Sequence, residues 1–278
     1  MSSTKQIKSV LIGADPEAFL KDINSGKIIS AVGLVPGSKD APYIIGANKF
    51  EAIQTDNVMI EFCQEPTNNP VKFFEDSQRI LGYIQNMLPK NLQISIQASA
   101  TLDASELQSD QAKLFGCDPD YNAWTLTVND APDSKGDLRT AGGHIHIGYD
   151  EPEFSTSVHI IRALDLFLTV PSLLLDPDDL RRKMYGKSGA FRIKDYGVEL
   201  RTLSNFWIAN QESVNWVFQQ VNKAIEALNN FGGSIEGFLD EETQMKVQLA
   251  INTGNKELAK ELCKSFEIQL INQTLTTV

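Results

Sequence analysis

The sequence predicts an α+β fold with a largely antiparallel sheet. Strand-like and helix-like segments do not alternate one for one, as parallel βαβ units require. Neither a G-x-x-x-x-G-K-S/T loop nor a G-x-G-x-x-G turn occurs, so the two commonest nucleotide-binding loops of parallel α/β proteins are absent. The elements follow from apolar periodicity. Short strand-like runs fall at 10–12, 28–35, 58–62, 92–98, 124–128, 143–149 and 197–203. Helical periodicity appears at 70–87 and 156–174. It returns at 212–229, where Val214, Val217, Phe218, Val221, Ile225 and Leu228 form one apolar stripe. Two more helical stretches, 243–251 and 256–270, close the chain.

At 278 residues, 42% hydrophobic, the chain has ample material for a core. No repeat, low-complexity segment or linker divides it, and a single domain is expected over 1–278, with a motif-bearing core at 10–210 and a helical part at 211–278. The net charge of −11 argues against general binding of nucleic acid backbones or anionic membranes. The charge is uneven: residues 181–201 carry seven basic and two acidic side chains, a local +5 against −16 elsewhere. Such an island suits a small bound anion. Three cysteines without C-x-x-C spacing read as free thiols in a reducing compartment. The N-terminus lacks the apolar stretch of a signal peptide, and 160–175 is short and interrupted by Arg162, Asp165 and Pro171. A soluble, cytoplasmic protein is expected.

Two of the three histidines stand in Gly142-Gly143-His144-Ile145-His146-Ile147-Gly148. On a strand they share a face, placed to hold a metal or a phosphate. Gly13-Ala14-Asp15-Pro16-Glu17 follows an apolar run, with Asp15 and Glu17 two apart; hard oxygen ligands suit Mg²⁺, although D-P-E also reads as a solvated turn. In 57–62, Asn57, Met59 and Glu61 alternate with Val58, Ile60 and Phe62, so Glu61 lies either on a solvated sheet face or in a site. The loop 115–124 is rich in turn formers, with Tyr121 and Trp124 as candidates to face a ligand. Gly186 and Gly189 around Lys187 and Ser188 suggest a mobile loop able to approach a phosphate, and Glu199 and Arg201 share a strand face. His159, at the head of a helix, reads as structural.

In that order, GADPEAF, GCDPDYNAW, TAGGHIHIGY and YGVELRTLSNFW resemble the phage-type COOH–NH₂ ligase (amidoligase) family, within the glutamine synthetase and glutamate–cysteine ligase superfamily. The likeness runs from about Gly13 to Trp207. It implies a curved, largely antiparallel sheet of the glutamine synthetase catalytic type, with helices on one face. It also implies ATP-dependent amide formation through an acyl phosphate, with two or three Mg²⁺ ions or Mn²⁺ in their place. By family position Glu17, Glu61, His144 and Glu199 would be metal ligands, joined by Asp15, with Glu61 also counted as catalytic. His146 would contact a phosphate. Arg192 and Arg201 would stabilise the transferring phosphoryl group, with Arg181, Arg182 and Lys187 assisting at the nucleotide. Asp118, Asp120 and Asn122 are the candidates for substrate contact. The partners would be a small-molecule or peptide-end carboxylate and an amine. The oligomeric state stays open, and a phage-encoded chain would act in host cytoplasm.

One departure is that glutamine synthetases carry a separate N-terminal domain completing the site, which implies a compact one-domain ligase here. Two rivals remain at this stage. His144-x-His146 with Glu151 matches the spacing of a cupin metal strand suited to Fe(II) or Mn(II), although no later histidine supplies the second cupin motif. The other rival is a ligase-derived binding module that has lost its chemistry.

Overall fold

A computed structural model describes residues 6–46, 49–113, 120–129 and 136–271. The fold mixes antiparallel sheets with helices. The strands are β1 (Leu11–Ala14), β2 (Glu17–Asp22), β3 (Ile28–Ile29), β4 (Tyr43–Ile44), β5 (Ala52–Asp56), β6 (Met59–Cys63), β7 (Leu92–Ser95) and β8 (Ser99–Thr101). They continue with β9 (Tyr121–Asn122), β10 (Leu138–Thr140), β11 (Ile145–Gly148), β12 (Ala190–Lys194) and β13 (Gly197–Leu200). Among the described residues they form three sheets where the sequence predicts one. A five-stranded sheet runs β1-β11-β13-β12-β9. A six-stranded sheet runs β3-β2-β6-β5-β4, with β7 also on β2, and β8 pairs with β10.

The division has a local cause. Pro16 has no N–H to give to a ladder, so β1 ends at Ala14 and β2 begins at Glu17 in a different sheet. The carbonyl of Pro16 accepts from Phe62 N–H at 3.3 Å, which sets β2 beside β6. The chain thus steps between two sheets within the dipeptide Asp15-Pro16.

The helices are α1 (Pro70–Met87), α2 (Asp110–Lys113), α3 (Phe154–Leu164), α4 (Val170–Leu175), α5 (Leu180–Met184), α6 (Gln211–Asn230), α7 (Glu241–Thr253) and α8 (Lys256–Ser265). Asn69 caps α1 by accepting from the N–H groups of Val71 and Lys72, and Pro70 fits the first turn. The predicted stripe of α6 is buried from Val214 to Leu228. Phe73 of α1 packs on Trp207 and Phe218 with ring centroids 5.5 and 5.4 Å apart, at the centre of the main core.

The predicted helix 156–174 begins earlier, at Phe154, and joins α3 to α4 through a π turn, Asp165–Thr169. Pro171 has no N–H for an α-type bond, and the N–H of Val170 reaches back to Asp165 instead. At 22 residues, Phe154–Leu175 is long and apolar enough to cross a membrane, but 83% of its most apolar window is buried inside the fold.

Other expectations also need correction. Residues 124–128 form a turn and its flank rather than a strand, because Asn122 Oδ1 accepts from Trp124 and Thr125 N–H and closes the backbone locally. The run 28–35 holds strand only at Ile28–Ile29. Strands β2, β4, β5, β8, β9, β10 and β12 lie outside the predicted runs.

Candidate active site

In the five-stranded sheet, Gly13 of β1, His146 of β11, Glu199 of β13 and Arg192 of β12 are direct partners across the ladders. Directly opposed residues share a face, so this register puts an imidazole, a carboxylate and a guanidinium in one row. Asp15, just past β1, closes the row from above. Its Oδ1 lies 3.2 Å from His144 Nδ1 and its Oδ2 3.3 Å from His146 Nε2. Burial works to raise the Asp15 carboxyl, but His146 and His144 outweigh it and hold it well below the usual range.

Glu199 is fully buried and surrounded by cations. It accepts a hydrogen bond from Arg201 Nη1, and Lys194 Nζ and Arg192 Nη1 stand 2.8 and 3.7 Å from its Oε2. Burial and Asp15 would raise this carboxyl; His144, Arg201 and His146 together bring it down. Arg201 also reaches Asp120 Oδ2 at 3.5 Å. Burial and the neighbouring Arg201 lower His144, despite Asp15.

The second group stands on the six-stranded sheet. Glu17 of β2 is the direct partner of Glu61 of β6, and Glu61 the partner of Gln54 of β5, whose Nε2 donates to Glu61 Oε1 at 3.0 Å. Asp56 ends β5 on the same face. Glu17 Oε2 accepts the N–H of Gly142 at 2.5 Å, and its main-chain carbonyl accepts from Asn205 Nδ2 at 2.7 Å. Burial, reinforced by Asp56, pushes the Glu17 carboxyl up to about 8. Burial, Asp15, Glu17 and Asp56 likewise push Glu61 well above the usual range.

Two ligand sets result. Asp15, His146 and Glu199 each offer an atom within 4.8 Å of the others, and so do Glu17, Asp56 and Glu61. The first set is already balanced by neighbouring cations; the second crowds three carboxyl groups together, and two of them are raised so that they tend to keep their protons. Hard carboxylate oxygens with one imidazole suit Mg²⁺ or Mn²⁺.

The remaining candidates are placed differently. Arg181 and Arg182 are buried braces: Arg181 donates to the carbonyls of Thr202 and Arg201, and Arg182 to Ser172 Oγ. Arg181 still lies close enough to Glu17 to feel its charge, while burial lowers its own pKa to about 10. Lys187 is exposed, and among the described residues no contact brings it to the carboxylates. Its loop is packed rather than mobile. The N–H of Ser188 donates to Asn252 and that of Gly189 to Asp165, so neither is left for a phosphate. Asn122 binds the carbonyl of Ser188 and its own turn, and Trp124 Nε1 donates to the buried Asp165 at 2.7 Å. Asp118 lies outside the described residues. His159 accepts from Ile235 N–H at 3.3 Å, a packing role. Glu151 of the cupin reading is exposed in the turn after β11, and the carboxylates that converge on His146 are Asp15 and Glu199.

Sequence reasoning missed Asp56, Lys194, Tyr196 and Asp165. Asp56 reads as a turn former beside Asn57, and Asp165 lies within an apolar helix. Alternation along 190–194 could have found Lys194, which shares the face of Arg192.

Residues 138–273 match the phage phiEco32-like COOH.NH2 ligase-type 2 family. The matched segment of this carboxylate–amine ligase family holds His144, His146, Arg192, Glu199 and Arg201. It begins later than the likeness read from the sequence and takes in the C-terminal helices. No curated protein sequence matches the chain. Among solved structures, the chain is similar to a bifunctional glutathione synthetase from Pasteurella multocida, at 12% identity and a TM-score of 0.45. The alignment covers 93% of this chain and 49% of that one, so this chain spans about half its length.

Proposed function

We propose that the chain is an ATP- and Mg²⁺-dependent carboxylate–amine ligase that forms an amide through an acyl phosphate, within a single catalytic domain of the glutamine synthetase type. The observation that carries this reading is the pair of ligand sets meeting at Asp15-Pro16-Glu17, with a cationic row beside one of them.

The residues fit divalent ions on two grounds. Glu17 and Glu61 are direct partners across the ladder, and burial with the nearby Asp56 and Asp15 raises both, Arg181 offsetting only part of this at Glu17. Asp15 Oδ1 and His146 Nε2 are buried and held by ion-pair contacts rather than aligned hydrogen bonds. Glu17, Asp56 and Glu61 would hold one ion; Asp15, Glu199 and an imidazole would hold another. Bound there, such ions supply charge neutralisation for a triphosphate.

The chain's own groups divide the remaining work. Arg192 and Lys194, partly exposed on β12, are placed to meet phosphoryl oxygens. Arg201 is buried against Glu199 and Asp120 and holds the row in register. Asn205 and Gly142 fix Glu17 through main-chain and side-chain hydrogen bonds. The carboxylate substrate is a small molecule or a peptide end, and the second substrate is an amine.

Thermal melts with Mg²⁺, with ATP and with both test the reading. At a hundredfold excess over its dissociation constant, a ligand that binds only the native state adds about 2.7 kcal/mol. Stabilisation by ATP that requires Mg²⁺ and exceeds that of Mg²⁺ alone, with ADP release on addition of acid and amine, is expected; Glu61→Ala should lose both while keeping its fold. Full activity of Glu61→Ala would overturn the assignment.

A further inference from the structure

The turn between β12 and β13 brings Tyr196 against the second histidine. Its hydroxyl lies 2.8 Å from His146 Nδ1, and the two rings stack at 25° with centroids 6.0 Å apart. The position of Tyr196 is fixed by contacts that do not involve the imidazole. Its carbonyl accepts the N–H of Tyr149 at 3.1 Å. The next residue, Gly197, has φ +148°, and a Cβ there would stand 2.0 Å from the Ile147 carbonyl oxygen. Only glycine lets this turn lie so close to β11. The main chain of Tyr196 is therefore held against β11, and its side chain, 46% exposed, lies on one side of His146 while Asp15 occupies the other at 3.3 Å from Nε2.

Imidazoles that bind metals commonly give their second nitrogen to a hydrogen-bonding partner, which sets the tautomer and aims the free lone pair. We propose that Tyr196 is that positioning residue: its oxygen accepts Nδ1–H of His146, turns the Nε2 lone pair onto Asp15 and Glu199, and makes His146 the imidazole ligand of a divalent ion. His144 meets the same carboxylates through Nδ1, 3.2 Å from Asp15 Oδ1 and 3.6 Å from Glu199 Oε1, but Arg201 Nη1 stands 3.5 Å from that nitrogen and competes for it. Nε2 of His146 is buried and, among the described residues, has no hydrogen-bond partner. The proposal rests on the metal-dependent reading above and assigns one ligand within it.

Mn²⁺ binding to the whole protein without nucleotide, followed by electron paramagnetic resonance, separates the two levels. Wild type should bind Mn²⁺, and Tyr196→Phe, which keeps the stacked ring, should bind at one site about tenfold or more weakly. Its melting temperature in chelator should match wild type. If wild type binds Mn²⁺ and Tyr196→Phe binds it equally well, the role of Tyr196 falls and the ligase reading stands. If wild type binds no Mn²⁺, both fall. Nitrogen-15 spectra of the wild type with diamagnetic Zn²⁺ as the probe ion give a reading independent of the variant: His146 should carry a proton at Nδ1 and none at Nε2, and a ring still protonated at Nε2 would overturn the assignment.

Discussion

Glu17→Gln separates the charge of the acidic cluster from its packing. The glutamine keeps a carbonyl oxygen to accept the Gly142 N–H and fills the same volume, but it has no proton to lose. In the wild type this carboxyl titrates near 8 in the fold against 4.5 in the unfolded chain. A group raised by folding contributes stability that is complete below its unfolded value and is lost as pH rises through its folded value. The window is therefore pH 4.5 to about 8, and the loss is roughly 5 kcal/mol, or up to about 1.4 kcal/mol per pH unit. Glu61 moves in the same direction, and removing the charge of Glu17 relieves it as well. Asp165, raised to about 7, contributes equally to both proteins and cancels in the difference. Urea unfolding in chelator at pH 5, 6, 7 and 8 should give a wild-type stability that falls steeply and a Glu17→Gln stability that falls much less. Excess Mg²⁺ at pH 8 should restore the wild type and stabilise the variant much less. Parallel pH curves for the two proteins would refute the electrostatic reasoning.

Glu199→Ala should fail differently from Glu61→Ala. It removes the nearest anion from the buried Arg201 guanidinium and leaves Asp120 at 3.5 Å, at a cost of up to about 3–5 kcal/mol, whereas Glu61→Ala relieves repulsion and should unfold no earlier than wild type at pH 8. Denaturation of both at that pH checks the contrast, and equal stability would count against the packing described for Glu199. Gly189→Ala should destabilise by about 2 kcal/mol or more, because φ is +73° and the added Cβ would stand 2.7 Å from Trp124 Cδ1 and 2.9 Å from Ala123 N; a loss below about 0.5 kcal/mol would restore the mobile-loop reading. Trp124→Phe removes the indole N–H from Asp165 and should cost about 1–3 kcal/mol, more above pH 7, where Asp165 is ionised. A pH-independent loss would show that the hydrogen bond is not the cause.

Amphipathic helices and the histidine strand were the legible part. The α1 and α6 stripes are dense enough in apolar residues to mark their own faces, and the alternation in G-H-I-H-I-G put both imidazoles on one side. The division into three sheets was not legible, because it depends on where Pro16 sends the chain rather than on any local period. The loop 186–189 misled for a physical reason. Glycine permits both mobility and close approach, and the sequence does not say which; here Trp124 and Asp165 decide for packing. Asp56 was hidden because a residue ending a strand beside an Asn-containing turn has an ordinary turn explanation.

Asp15 and Glu17 make the limit of spacing arguments concrete. Two residues apart in one motif, they read as a pair of hard oxygen ligands or as a solvated turn. The fold gives them opposite environments: two imidazoles hold Asp15 ionised, while Glu17 is buried against Glu61 and Asp56 and tends to keep its proton. One side of the junction arrives with its charge already balanced, and on the other Arg181 near Glu17 does not offset burial and the neighbouring carboxylates. A divalent ion entering the site should therefore displace protons at Glu17 and Glu61 first, and its affinity there should rise with pH through about 8. Proton release measured on Mg²⁺ addition at pH 7 should accordingly largely vanish in Glu17→Gln. Release of the wild-type amount from that variant would place the first ion elsewhere.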